Sequence, residues 1–149
     1  MVDENLIKEI KEMRAKGGFQ PSDMLKTVEF MKQIGEENEN IKKELENMDL
    51  ITVQFVVTDV DYKYWVKIGK GKVEYAEGEL GDANVTMKAT VATWASVGTA
   101  KRDSRESVKR IERTHRAYTS GDLQVEGNLK DAIAYGEILG KAMEEFPSN

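Results

Sequence analysis

The spacing of hydrophobic residues changes near residue 50, from a helical period to a strand period. Before that point, two stretches carry apolar side chains every three or four residues, which is typical of amphipathic helices. The first spans residues 3–16 and ends at a pair of glycines. The second runs from Ser22 to about Met48, with Gly35 as a candidate kink or division. The N-terminal third of the chain is therefore predicted to be helical.

The second helical stretch carries a weak heptad. Its two seams contain Met24, Met31, Asn38 and Leu45, and Thr27, Ile34, Ile41 and Met48. A surface helix that packs this stripe against its own domain is one interpretation. The other is a homodimer through the N-terminal helices, in which Asn38 would fix the register of a coiled coil.

From residue 51 the pattern alternates, as in β-strands with one buried face. The alternating stretches are residues 51–57, 62–68, 72–77 and 84–88. Short turns separate the first three, and the turn at residues 69–71 is typical of a hairpin. These three are predicted to form an antiparallel meander, followed by a fourth strand in which Val85 and Met87 point inward.

One strand pattern lies apart from the others, at residues 121–128. A short helix capped by Thr90 and a longer one over about 103–118 precede it, and a final helix capped by Asn128 follows it. A single strand cannot stand alone, so it must return to the earlier sheet. The helices are then predicted to cover one face of that sheet, with a hollow between the two layers.

Composition narrows the classes of function. The chain has 149 residues, one histidine, no cysteine and a net charge of -5, so disulfides and cysteine-based metal sites are excluded. The acidic balance disfavours binding to nucleic acid. The N-terminus has no apolar signal core, and no run of about 18 apolar residues is present. We expect a cytoplasmic protein without an integral membrane segment, long enough for one domain and a helical extension.

The order of these elements, together with three local stretches, resembles the sterol carrier protein type 2 family. Tyr64-Trp65-Val66-Lys67-Ile68, Gly71-Lys72-Val73-Glu74 and Glu77-Gly78-Glu79 are similar to the central hairpin of that family. Ala83-Asn84-Val85-Thr86-Met87 resembles its D-V-T-I strand. Ser120-Gly121-Asp122-Leu123-Gln124-Val125-Glu126-Gly127-Asn128-Leu129 resembles its S-G-K-L-K-V-E-G-D-L closing strand and helix start. The resemblance covers roughly residues 40–146.

The resemblance implies an α+β fold, in which helices cover one face of a twisted, mainly antiparallel five-stranded sheet and enclose an apolar tunnel. Residues 36–149 would form this lipid-binding domain, and residues 1–35 an N-terminal helical extension. The implied function is non-enzymatic binding or carriage of a fatty acyl chain, a sterol or a similar apolar ligand. The alternative is a protein-interaction or dimerisation module with a solidly packed core and a helical arm.

The walls of such a tunnel are predicted from apolar residues on the inner side of the sheet and on the helices. The predicted ligand-binding residues are Phe55, Val57, Val66, Met87, Trp94, Ile111, Leu123, Val125, Ile133, Leu139 and Met143. Such walls bind by desolvation, worth about 25 cal/mol per Å² of buried apolar surface. The same spacing is also what an ordinary core requires. Gly136 and Gly140 in the last helix either allow close packing on the sheet or leave space for a ligand.

A basic stripe with helical spacing lies on the helix near residue 110; its members are Arg102, Arg105, Lys109, Arg113 and Arg116. Residues 101–116 contain seven Lys or Arg against three acids, and this segment is longer and more basic than the matching loop of the resembled family. The stripe is a candidate contact for an anionic lipid head group, a membrane surface touched transiently, or an acidic partner helix. A solvated face paired with the acidic N-terminal arm is the simpler interpretation.

No set of residues predicts catalysis. His115 stands alone and is expected to be a helix residue near the core boundary rather than a general base. Asp59 and Asp61 fit a turn, and no calcium-loop spacing follows them. We therefore expect no enzymatic activity, no cofactor and no bound metal.

Overall fold

The computed structural model describes residues 2–16, 20–98 and 115–147. Its helices are α1 (Glu4–Lys16), α2 (Asp23–Glu37), α3 (Glu39–Asn47), α4 (Val91–Gly98), the helical residues 115–120, which we call α5, and α6 (Leu129–Glu144). Its strands are β1 (Ile51–Val57), β2 (Tyr62–Gly69), β3 (Lys72–Glu77), β4 (Val85–Ala89) and β5 (Gln124–Gly127). The predicted α+β class is confirmed.

The five strands form one sheet in the order β3-β2-β1-β4-β5. Neighbouring strands are antiparallel except β1 and β4, which are parallel. The strand that the sequence sets apart, β5, pairs with β4 at the edge of the sheet and places Val125 opposite Met87. The mainly antiparallel five-stranded sheet, including the late strand that returns to it, is therefore confirmed.

Alternation of apolar and polar residues gives the sheet one covered face and one uncovered face. The covered, inner face carries buried side chains that include Val53, Phe55, Val57, Tyr64, Val66 and Ile68. Three helices pack on it: α2 against β3, α3 against β2, and α6 against β1, β4 and β5. The outer face carries polar residues such as Thr52, Lys63, Lys67 and Thr86. The helices cover one face, as predicted.

Helix α2 contributes to the main core. Met31 is 0% exposed, and Val28 and Phe30 are also buried. The ring of Phe30 meets the ring of Phe146 edge to face, with 5.2 Å between the centroids. The predicted domain boundary after residue 35 therefore falls inside a helix that packs on the sheet domain.

The segment before α2 is tied to it. Ile10 of α1 is fully buried, and α1 packs against α2. The backbone N–H of Val2 donates to Oε2 of Glu37 at 2.8 Å, and the N–H of Asp3 donates to Oε1 of Gln33 at 2.7 Å. The N-terminal residues are thus attached to α2 by hydrogen bonds just before α1 and by the packing of α1 itself.

The apolar residues of the heptad seams pack within the chain itself. Ile41 and Leu45 are buried in its own core, so they are not available for pairing with a second copy. The helix divides at Asn38 instead of Gly35, because Oδ1 of Asn38 accepts hydrogen bonds from the N–H groups of Asn40 and Ile41, at 3.0 and 3.1 Å, and so caps α3. Gly35 allows close packing with α3, since a Cβ there would lie 2.5 Å from Cδ1 of Leu45.

The predicted hairpin between β2 and β3 forms and is joined to the end of α3. The N–H of Lys70 donates to the carbonyl oxygen of Met48 at 2.8 Å, and that of Gly71 to the carbonyl oxygen of Leu45 at 2.9 Å. Gly69 has a φ of 126°, and a Cβ there would lie 2.2 Å from the carbonyl oxygen of Asp49. Glycine is therefore required at this close approach.

Asn84 joins β1, β4 and the end of β5. Its Oδ1 accepts the N–H of Thr52 at 2.7 Å, and its carbonyl oxygen accepts the N–H of Asn128 at 3.1 Å. Gly127 turns the chain with a φ of 106°. Asn128 then caps α6 as predicted, since its Oδ1 accepts the N–H of Lys130 at 3.0 Å. These bonds fix the point at which β5 ends and α6 begins.

Helix α6 turns a different face to the sheet from the one that the sequence predicts. Its buried residues are Ala132, Tyr135, Ile138 and Ala142. Ile133, which we expected in the tunnel wall, is 54% exposed, and Leu129 is 42% exposed. Ile133 does not face the sheet, because apolar residues occupy much of the circumference of α6 and their period alone does not select the side that meets the sheet. Its place in a ligand wall stays a prediction.

Candidate functional site

A row of large side chains crosses the inner face of the sheet from β2 to β5. The strand register places Tyr64 beside Phe55, Phe55 beside Met87, and Met87 beside Val125; we call these four residues the apolar row. Tyr64 and Phe55 are 2% and 3% exposed, whereas Met87 and Val125 are half-buried. Burial therefore decreases along the row toward the β5 edge.

Aromatic rings enclose the buried end of the apolar row. Phe55 stacks on Tyr64 with 4.6 Å between ring centroids. Trp94 from α4 and Tyr135 from α6 pack against the ring of Phe55, at 5.6 and 5.2 Å. Nε1–H of Trp94 donates to the carbonyl oxygen of Val56 at 3.2 Å, which orients the indole. Stacked and edge-on rings have defined geometries, so this end forms a well-ordered wall.

An apolar side of α6 is turned toward the half-buried end of the apolar row, that is, toward Met87 and Val125. At about 100° per residue, one side of this helix carries Leu129, Ile133, Gly136, Gly140 and Met143; we call it the α6 flank. The other side lies beside α3, where Lys141 pairs with Glu44 at 3.2 Å. Because α3 packs on β2 and α6 packs on β1, β4 and β5, the α6 flank is on the side of β4 and β5.

Gly136 leaves open space in the α6 flank. Among the described residues, no atom would lie within 4 Å of a Cβ at this position. Close packing of α6 on the sheet therefore does not explain this glycine. Since glycine in a helix interior costs about 1 kcal/mol relative to alanine, the space at Gly136 supports the other interpretation, room for a ligand.

Nine of the predicted wall residues lie in or beside the core. Phe55, Val57, Val66, Trp94 and Leu123 are buried. Met87, Val125, Leu139 and Met143 are half-buried and pack against the core. Ile133 is exposed, and Ile111 lies outside the described residues. The candidate site is the region between Met87 and Val125 on the sheet and the α6 flank.

Two aromatic residues beside the candidate site are absent from the predicted wall. Tyr64 belongs to the alternating pattern of β2, which already predicts that it points inward. Tyr135 lies three residues after Ala132 and three before Ile138, so an apolar stripe with helical spacing includes it. Both residues could have been found by extending the periodic pattern to tyrosine.

The tyrosines near this wall remain protonated over a wide pH range. Burial raises the pKa of Tyr64 well above its usual value, and the nearby Tyr135 and Tyr62 add to this effect. Burial also raises the pKa of Tyr135. Burial and the charge of Glu77 raise the pKa of Tyr62 to about 12. At neutral pH all three phenols are therefore uncharged hydrogen-bond donors.

A groove of about 680 Å³ lies on the outer face of the sheet. Ion pairs line it: Lys63 with Glu79 at 3.6 Å, and Lys88 with Glu126 at 3.0 Å. Gln54, also on this side, is buried and donates from Nε2 to backbone carbonyl oxygens. An apolar ligand here would desolvate charged groups without replacing their interactions. The outer groove is therefore unsuited to a lipid.

Most of the basic stripe lies outside the described residues, namely Arg102, Arg105, Lys109 and Arg113. Arg116 lies in α5 and is exposed. The neighbouring His115 is also exposed instead of lying at the core boundary. The contact of the stripe with an anionic group stays a prediction.

Within residues 2–16, 20–98 and 115–147, no group of three or more His, Asp or Glu side chains is placed to hold a metal ion. In the same part of the chain, every helix is too short or too polar to cross a lipid bilayer.

Comparison with known proteins agrees with the architecture. Residues 31–140, most of the chain, match the model of the SCP-2 sterol transfer family. None of the curated protein sequences compared matches this one. The family resemblance predicted from the local stretches is confirmed.

Solved structures share the same fold. One, described as "UbiJ-SCP2 Ubiquinone synthesis protein", superposes with a TM-score of 0.60 at 14% identity and covers 83% of this chain and 93% of its own. The sterol carrier protein domain 2 of Helicoverpa armigera superposes with a TM-score of 0.51 at 14% identity, covering 88% of this chain and 98% of its own. At this identity the likeness establishes the fold alone.

Proposed function

Because the chain belongs to the SCP-2 sterol transfer family, we propose that it binds one apolar lipid molecule at the candidate site and carries it without chemical change. The family match supports lipid binding or transfer as the general function. In the proposed complex, the ligand lies between the inner face of β4 and β5 and the α6 flank. Its inner part is directed toward the aromatic rings around Phe55.

The observation that carries this proposal is the loss of burial along the apolar row. Tyr64 and Phe55 are in the core, but Met87 and Val125 remain half-buried, beside a helix side with open space at Gly136. Folded proteins normally bury contiguous apolar surface of this kind or use it for binding. A lipid at this position would complete the burial of the row.

Removal of apolar surface from water supplies the binding free energy. At about 25 cal/mol per Å², each 100 Å² of additional burial is worth roughly 2.5 kcal/mol, or about 60-fold in affinity. Met87 and Met143 both border the site, and methionine side chains adapt to irregular shapes. We therefore expect the site to accept several lipids of related size.

The structural neighbours suggest which ligand classes to test. One is described as a ubiquinone synthesis protein and the other as a sterol carrier protein domain. Quinones with long side chains and sterols are both apolar molecules with a ring at one end. A fatty acid, a sterol and a long-chain quinone therefore form a suitable test set.

Binding of a fluorescent fatty acid, followed by displacement with the sterol and the quinone, tests the function. The protein should bind the probe, and native mass spectrometry should show one ligand per chain. A protein that stays empty with all three ligand classes would contradict the proposal.

Replacement of Gly136 by tryptophan tests the position of the ligand. The new ring enters the α6 flank, and we expect at least 10-fold weaker binding with the fold retained, because no atom of residues 2–16, 20–98 and 115–147 lies within 4 Å of the new Cβ. Gly81→Trp is the matched control, since its Cβ is equally free but the residue lies between β3 and β4. Equal loss of binding in both variants would place the ligand elsewhere.

Exposure of Leu129 and Ile133 also favours a second function, docking of another protein or a second copy on the α6 flank. In this second function the contact surface is the α6 flank and not the heptad seams of the N-terminal helices, because the main apolar residues of those seams are buried. Ile133→Glu should then reduce the mass of the complex measured by light scattering, without loss of helical content. A wild-type protein that is monomeric at high concentration would exclude the self-association form of this function.

We propose that the basic stripe contacts an anionic head group or membrane surface, one of the roles that its sequence pattern allows. Sedimentation with anionic vesicles tests it. A variant with Arg105, Lys109 and Arg113 replaced by glutamine should bind such vesicles more weakly than the wild type, and neutral vesicles should show no difference. Equal sedimentation of the two proteins would reject this role.

A further inference from the structure

Three tyrosines lie around the buried end of the apolar row, and one of them, Tyr62, is partly buried and also borders the outer groove. Tyr62 and Tyr64 lie on the same side of β2, with ring centroids 6.1 Å apart. Tyr135 reaches from α6 to the ring of Phe55, on which Tyr64 stacks. Ring contacts therefore link the three residues, Tyr62 directly to Tyr64, and Tyr135 to Tyr64 through Phe55. We call these three residues the tyrosine cluster.

The hydroxyl group of Tyr62 is buried and has no hydrogen-bond partner in the described part of the chain. A buried polar atom without a partner costs about 1–3 kcal/mol, and native proteins contain few of them. Phenylalanine would fill the same space without this cost. The hydroxyl therefore suggests a partner that the chain itself does not supply.

The cluster has a specific chemical character. Its phenols are uncharged at neutral pH, and each can donate one hydrogen bond. Burial raises the pKa of Tyr62, and the charge of the Glu77 carboxylate raises it further; the same charge would repel an anion bound beside this phenol. Buried neutral donors beside this charge suit an uncharged oxygen acceptor and disfavour an anion.

We propose that the tyrosine cluster binds the oxygen-bearing end of a neutral lipid, a carbonyl or hydroxyl group, through hydrogen bonds donated by Tyr62, Tyr64 and Tyr135. The inference rests on the proposed function, since the ligand occupies the same candidate site. The hydrocarbon part of the ligand lies along the apolar row toward Met87 and Val125. The polar end lies inward, against the rings that surround Phe55.

Paired ligands of equal length test the inference. Dodecane and 2-dodecanone differ mainly in one carbonyl group, and each is used to displace a fluorescent apolar probe from the wild type and from Tyr62→Phe, Tyr64→Phe and Tyr135→Phe. We expect each variant to bind 2-dodecanone roughly 2- to 10-fold more weakly than the wild type, the range for one neutral hydrogen bond. Affinity for dodecane should be unchanged.

Tyr118→Phe is the matched control because Tyr118 is an exposed tyrosine. This variant should bind both ligands as the wild type does. The inference is overturned if the three cluster variants bind 2-dodecanone as tightly as the wild type, or if they lose affinity for both ligands equally.

A measurement on the wild-type protein alone tests the inference even if the variants do not fold. The infrared stretch of isotopically labelled carbonyl in bound 2-dodecanone should shift to lower frequency relative to the same ketone in hydrocarbon solvent, because a donated hydrogen bond weakens the C=O bond. An unshifted band would reject the inference while leaving lipid binding intact. Failure of both ligands to displace the probe, with no probe bound at all, would instead reject the proposed function.

Discussion

At the scale of single residues, the buried hydroxyl of Tyr62 has opposite consequences for stability and for binding. Tyr62→Phe removes a polar atom that has no partner within the described chain, so we expect the free energy of unfolding of the ligand-free protein to rise by about 1 kcal/mol. Urea denaturation at neutral pH measures this change. Tyr118→Phe should stay within about 0.5 kcal/mol of the wild type, and a large loss of stability in Tyr62→Phe would mean that its hydroxyl has a partner.

The tyrosines also make stability depend on alkaline pH. Burial raises the pKa of Tyr62 and Tyr75 to about 12, and for Tyr75 the hydrogen bond to Glu29 and the charge of that carboxylate contribute further. In the unfolded chain tyrosine releases its proton near pH 10. Above this pH the folded state binds more protons than the unfolded state, so stability is complete below pH 10 and falls as the pH rises toward 12.

Denaturation midpoints measured between pH 8 and pH 11.5 should show this fall. Tyr75→Phe should reduce its steepness, because one of the protons retained by the folded state is then absent. A midpoint that is constant over the whole range would contradict the burial of these phenols.

At the scale of elements, α6 combines a stabilising core face with a flank that is free for binding. Gly136→Ala adds a methyl group where no atom in the described part of the chain lies within 4 Å. The helix should gain up to about 1 kcal/mol because alanine has the higher helix propensity, measured as a higher denaturation midpoint. A lower midpoint would show that the flank packs more closely than the free space at Gly136 indicates.

The sequence predicts the elements well where the signal is local. Thr90 and Asn128 cap the helices that they were expected to cap, since Thr93 and Lys130 donate their N–H groups to these side chains. The strands follow their alternating patterns. Asn38 shows the limit of such signals: a heptad position and a helix cap both tolerate asparagine, and only the packing of α3 beside α2 distinguishes the two.

At the scale of the whole molecule, α1 and α2 contribute buried residues to the same core as the sheet. Deletion of residues 1–35 removes Val28, Phe30 and Met31 from the core, and losses of such side chains cost about 1–5 kcal/mol each. Their sum is comparable with the 5–15 kcal/mol that stabilise a typical domain. We expect the shortened protein to lose cooperative thermal unfolding.

Deletion of residues 1–20 is the matched comparison, because it removes α1 but keeps α2 (Asp23–Glu37). That protein should unfold cooperatively at a lower temperature than the full chain. If the protein without residues 1–35 unfolds cooperatively as well, those residues are a separable extension, as the sequence predicts.

The sequence by itself determined the order of the strands, their inner faces, the caps at Thr90 and Asn128 and the family, because each depends on residues close together in the chain. The tertiary structure decided the side of α6 that meets the sheet and the place of α2 in the core. Apolar residues occur on both relevant sides of α6, at Ala132 and Tyr135 and at Leu129 and Ile133. The side of α6 that becomes buried is the one that packs against β1, β4 and α3. That packing surface exists only once the sheet has formed, so the sequence of α6 alone does not identify the buried side.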